Sequence, residues 1–157
     1  MNGRPERNST ADSDPAHLKW TEEVTLRTVD PDGRSRSVTL RLGPASRAIV
    51  GLLDDGALTE ISGTDYLDCL LQIRRRLERD GRLLCCQGAR SGVHPSGQLR
   101  QFTHGREAYL DFFDVRGTGP ETVDIFAPAP PEDVVTLDAQ RAAFLRAWNT
   151  RHPDHRI

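Results

Sequence analysis

Between Thr64 and Gly81 the chain has room for only one kind of element. Tyr66, Leu70, Ile73 and Leu77 recur at spacings of four, three and four, which places them on one face of a helix. Leu67 and Leu71 widen that stripe. Thr64 is positioned to cap the helix, and Asp65 and Asp68 put acid in its first turn, where the helix dipole favours it. Arg74, Arg75, Arg76 and Arg79 fall toward the C-terminal end, where cations belong, and read as a solvated, dipole-matched terminus. Gly81 is the stop. A helix with one apolar stripe needs an apolar surface to lie on, and the segments around it supply strands.

Upstream, Val24 and Leu26 alternate with Thr25 and Arg27, and Val38, Leu40 and Leu42 alternate with Thr39 and Arg41. Asp30-Pro31-Asp32-Gly33 lies between them, with Pro presetting φ and Gly free to take the left-handed position. This is a β-hairpin. Residues 43–63 hold the apolar run Ala48 to Leu53, a turn at Asp54-Asp55-Gly56, and Leu58 and Ile61. That run is too short for periodicity to separate helix from strand. Downstream, Leu83 to Gln87 is nearly all apolar and predicts a central strand. Glu107 to Phe113 and Thr122 to Ala127 alternate as strands, and the prolines from Pro128 end the second. Leu137, Phe144, Leu145 and Trp148 share a face of a second helix from Thr136 to Asn149.

The expected fold is therefore α+β: a mainly antiparallel sheet of about five strands with two helices packed on one face. A length of 157 residues fits one domain. Residues 1–16 are nearly devoid of apolar side chains and are expected to be a disordered tail. Residues 17–150 form the domain, and 151–157 are expected to fray.

Charge and cysteine usage narrow the function classes. The formal charge is −2, so no global field recruits nucleic acid or an anionic membrane, and aromatics are not interleaved with arginine as in a nucleic-acid platform. Nearly all basic residues are arginine, but Ala, Gly, Pro and Asp are abundant too, so a GC-rich codon bias accounts for them without a function. Cys69, Cys85 and Cys86 are odd in number and two are adjacent. With no apolar leader or span, they point to a reducing cytoplasm rather than a disulfide scaffold. In a strand the adjacent pair faces opposite sides.

One stretch stands out chemically. Residues 88–106 connect two strands through Arg90, His94, Ser96, Arg100, Gln101, His104 and Arg106, interleaved with four glycines and anchored by Val93, Leu99 and Phe102. Connections of this length are usually functional or disordered, and the apolar anchors argue for order. Arg90, His94, Ser96, Arg100, His104, Arg106 and neighbouring Tyr109 are the candidate ligand or partner residues. Ser96 and His94 do not make a nucleophile and base, since no elbow motif frames them. Cys85-Cys86 lacks metal-ligand spacing, and His152 and His155 lack a zincin's glutamate, so neither metal nor cofactor is expected. Asp111, Asp114 and Asp124 read as the polar side of alternating strands rather than a paired-acid site.

Six fragments of the chain share a pattern. They are Arg74–Gly81, LLCCQGAR at Leu83–Arg90, V-x-P-S-G at Val93–Gly97, G-R-x-A-Y at Gly105–Tyr109, VDIF at Val123–Phe126 and Q-x-x-F-x-x-x-W at Gln140–Trp148. Together they resemble a group of small bacterial proteins that carries no assigned activity. That group has Met where Gln98 stands here. The resemblance implies a bacterial, cytoplasmic protein and no catalytic residues. The function expected from the whole reading is a small non-enzymatic interaction protein, immunity-protein-like. It would cover a partner protein through the 88–106 loop or an open sheet face. The alternative is a phosphate or carboxylate binder, or an enzyme, using Arg90, Arg100 and Arg106 as a cradle with His94 or His104 moving protons.

Overall fold

In the computed structural model, residues 19–113 and 121–157 are described. β1 (Glu22–Val29) and β2 (Ser35–Leu42) form the expected antiparallel hairpin, with Val24 opposite Leu40 and Leu26 opposite Val38. Asp30 closes its turn by accepting the amides of Asp32 and Arg34, and Gly33 takes φ 79°. The undecided stretch resolves as a second hairpin, β3 (Ile49–Asp54) and β4 (Ala57–Ser62). Asp55 and Gly56 both adopt positive φ at its tip, the conformation a tight hairpin turn requires.

α1 (Tyr66–Arg79) follows, capped by Asp65 rather than Thr64. The Asp65 carboxylate accepts the Asp68 amide, while Asp68 accepts the Thr64 amide in return. Leu70, Ile73 and Leu77 are fully buried and share one core with Leu26, Val38, Leu40, Leu42, Val50 and Leu52 from the sheet. The apolar stripe of α1 thus lies on the alternating inner face of the strands.

β5 (Leu83–Leu84) pairs with the end of β1 and completes an antiparallel sheet in the order β4-β3-β2-β1-β5. It is a two-residue edge strand, not the central strand expected. The chain leaves the sheet because its next residues find other partners: Cys86 bridges to Pro128, and the Gln87 amide donates to Ala127 O. Both Cys85 and Cys86 are buried all the same. β6 (Glu107–Tyr109) and β7 (Thr122–Asp124) also differ from expectation. They are short and form their own two-stranded sheet. β6 stops because the Phe112 amide turns to Gly92 O; β7 stops because Asp124 accepts the amides of Phe126 and Ala127 in a turn that buries both Ile125 and Phe126.

Two further helices complete the α+β fold: α2 (Gly97–Phe102) and α3 (Leu137–Arg151), the latter capped by Thr136. α3 packs beside α1, and the last residues turn back on it: Asn149 exchanges hydrogen bonds with Ile157, and the Trp148 indole donates to His155 O. Among the described residues, no helix is long and apolar enough to cross a membrane.

Candidate functional site

The 88–106 segment is built onto the helices from below. At its base lies Arg74, the largest fully buried side chain, 1% exposed. It is not part of a solvated helix end. Its guanidinium donates to Gly88 O (3.2 Å), Val135 O (3.0 Å) and the side-chain oxygen of Gln140. Gln140, also buried, spends its amide on Gly88 O, Arg90 O and Val93 O. One helix side chain from each of α1 and α3 therefore satisfies the irregular backbone of 88–93, which has no ladder of its own. Burial lowers the Arg74 pKa, yet guanidinium remains the charged form throughout the working range. Gly88 is required at this knot, since a Cβ there would fall 2.6 Å from the Leu70 side chain.

The middle of the segment is α2, with Ser96 as its cap accepting the Leu99 amide. Ser96 is thereby a structural hydroxyl. Arg100 reaches down to the α1 cap and grips Asp65 with two hydrogen bonds, 2.6 and 3.1 Å. Burial works to raise the Asp65 carboxyl, but bonds from Arg100 and from backbone amides outweigh it and hold the carboxyl below its ordinary range. His104 (φ 52°) and Gly105 (φ 76°) turn the chain, and His104 O accepts the Tyr66 amide at the start of α1.

At the far end Arg106 forks between Asp124 (2.8 and 2.9 Å) and Glu22 (2.8 and 2.9 Å), and lies over the rings of Tyr66 and Phe126. The bonds to Asp124 and then Glu22 raise the Arg106 pKa, and the Arg106 bond depresses Glu22. Arg90 bonds the Gln87 side chain and sits 3.8 Å from Asp133. Tyr109 exchanges backbone hydrogen bonds with His94, and its ring lies 6.3 Å from Phe112.

His94 itself enters an aromatic cluster, 4.5 Å from Phe144 and 6.3 Å from Phe112. Its Nε2 is buried without a hydrogen-bond partner. Burial, and then the charge on Arg74, lowers its pKa, so the neutral ring is favoured. Among the described residues, no side chain hydrogen-bonds to the ring to orient it.

A cleft of about 530 Å³ opens between α1, residues 93–100 and α3. His94, Ser96 and Arg100 line it; Arg90, His104, Arg106 and Tyr109 do not. In their place the cleft recruits Arg75 of α1 and Arg141 of α3, over Leu67, Leu71 and Phe144. Arg75 and Arg141 each follow a buried anchor, Arg74 and Gln140, by one residue, which turns them outward beside it.

The other candidates are absorbed structurally. Asp111 caps a turn through the Phe113 amide, Asp124 holds Arg106, and Asp114 lies outside the described residues. Cys69 and Cys86 are deeply buried thiols whose pKa values burial raises to about 11 and about 12, the opposite of a reactive cysteine. Among the described residues, no three His, Cys, Asp or Glu side chains converge as a metal set would. The outer face of the sheet is fitted with matched groups: Glu23 with Arg41, Thr25 with Thr39, Lys19 with Glu60, and the Trp20 ring over Gly51. No protein-family model matches the chain, and no curated protein does.

Proposed function

We propose that this is a non-enzymatic binding protein that occludes a site on a partner protein, as immunity proteins do, with the 88–106 segment as its contact. The observation that carries this reading is Phe102. It ends α2 with 76% of its surface exposed, on a helix braced by the Ser96 cap, the Arg100–Asp65 pair and the Thr103–Leu99 bond. A rigid aromatic held in water pre-pays its ordering entropy and makes an effective interface anchor. The arginines of the segment support the same reading by being already engaged. Arg100 and Arg106 face carboxylates of this chain, so they brace the segment and do not form an open three-arginine cradle. The matched outer face of the sheet makes it the weaker contact surface.

The test is capture from an extract of the source cells with wild type and Phe102→Asp as parallel baits. Phe102 packs on little, so the variant should keep its melting temperature. Arg100→Ala is a poorer control, since it also strips the α1 cap of its partner. Capture of one protein in stoichiometric amount by wild type, lost with Phe102→Asp, supports the proposal. The loss expected for a central aromatic anchor is about 2 kcal/mol or more. Equal capture by both baits, or none by either, would overturn it.

A further inference from the structure

We propose that the cleft between α1 and α3 binds a small amphipathic anion, with the head group on Arg75 and Arg141 and an apolar body on Leu67, Leu71 and Phe144. This stands independently of the partner reading, which rests on Phe102, outside the cleft lining.

The cleft has the size of a small-molecule site, about 530 Å³, and is walled by two helices and the 93–100 strap. Its walls are fixed. Arg74 and Gln140 tie α1 to α3 at the base, and Glu78 of α1 accepts the Leu137 amide at the first turn of α3. The floor is aliphatic and aromatic, so it favours an apolar body.

Charge selects the head group. Arg82, Arg100 and Arg106 each make a close ion pair within the chain. Arg75 and Arg141 make none with the described residues, and both are exposed at the cleft rim. Asp138 is the one carboxylate among the lining residues, against three arginines. Asp138 sits in the first turn of α3, where the helix end offsets its charge. Two unengaged guanidinium forks above an apolar floor match a carboxylate or phosphate carried on a hydrocarbon or aryl body. Both heads share that chemistry, and the choice between them is an outcome of the test.

The experiment titrates the full-length protein with octanoate, monooctyl phosphate, 1-octanol, octyltrimethylammonium and inorganic phosphate, each below micelle formation. Calorimetry gives Kd, and the His94 ring resonances report occupancy, since that ring lies 4.5 Å from Phe144 on the cleft wall. Saturable binding of octanoate or monooctyl phosphate is expected, with the tighter of the two naming the head group. Octanol should bind at least about tenfold more weakly, as should octanoate to an Arg75→Gln/Arg141→Gln variant. Both substituted residues are exposed, so the variant should melt with wild type; Leu71→Glu, which places a like charge on the floor, should abolish binding. Four results would overturn the proposal: no binding by either anion, equal binding of the cation or of octanol, equal binding by the double arginine variant, or inorganic phosphate matching the octyl anions.

Discussion

Arg74 and Arg75 are adjacent and chemically identical, yet they do opposite things. Arg74 lies four residues after Leu70 and three before Leu77, so helical spacing puts it on the buried stripe. Read by residue type alone, within a run of arginines, it passes for a solvated charge; read by position, its burial was legible. What no spacing shows is its partner, because Gln140 is 66 residues away. Replacing Arg74 with Met should leave Val135 O and the Gln140 side-chain oxygen without that donor, Gly88 O keeping only the Gln140 amide, and cost about 3 kcal/mol. Arg75→Met should stay within about 0.5 kcal/mol. Urea denaturation of the two variants checks this, and equal midpoints would mean that the Arg74–Gln140 knot does not hold the segment. His94 gives a second prediction. The fold favours its neutral ring, so its stabilising contribution is whole above the unfolded pKa near 6.5 and is lost as pH falls from there through the lower folded value. The urea midpoint of wild type should drop between about pH 7.5 and 5.5, and His94→Phe, which suits the aromatic cluster, should flatten that drop.

At the scale of elements, the long alternations and stripes were legible, and the short strands were not. The β1–β2 hairpin and α1 follow from local pattern, since each buries a face that its own period creates. β5 and β6 are cut short by backbone partners far away in sequence, at Pro128 and Ala127 for β5 and at Gly92 for β6, while β7 ends in a local turn on Asp124. The apolar residues expected to lengthen those strands are still buried, Cys86 at an isolated bridge and Ile125 and Phe126 in a turn, instead of in ladders. Glycines mark where elements touch. A Cβ at Gly105 would meet the Asp65 carboxylate at 2.7–2.8 Å, and the residue holds φ 76°; Gly97, at the start of α2, has open space around it. Gly105→Ala should therefore destabilise by at least about 1 kcal/mol, while Gly97→Ala should be neutral or stabilise by about 0.5 kcal/mol. Thermal melts of both decide it, and a tolerated Gly105→Ala would mean that α2 does not dock on the α1 cap.

Across the whole molecule, the sheet is the scaffold and α1 its cover, while residues 88–106 are held in place by Arg74, Gln140, Asp65 and the paired acids Glu22 and Asp124. The candidate loop was visible in the sequence as a long, polar, glycine-rich connection. Its arginines were visible too, but not that their counter-charges lie within the same chain, at separations of 35 residues for Arg100 and of 18 and 84 for Arg106. Long-range ion pairs leave no periodic signature, which is why a cradle and a brace look alike before folding. If the bracing is intrinsic, this segment is ordered in the free protein, with Phe102 displayed before any partner arrives. The direct measurement is the backbone 15N order parameter of residues 88–106 in the isolated chain. Values of about 0.85 throughout, level with α1, are expected; values below about 0.6 across 97–106 would mean that the segment orders only on binding and that Phe102 is not pre-positioned.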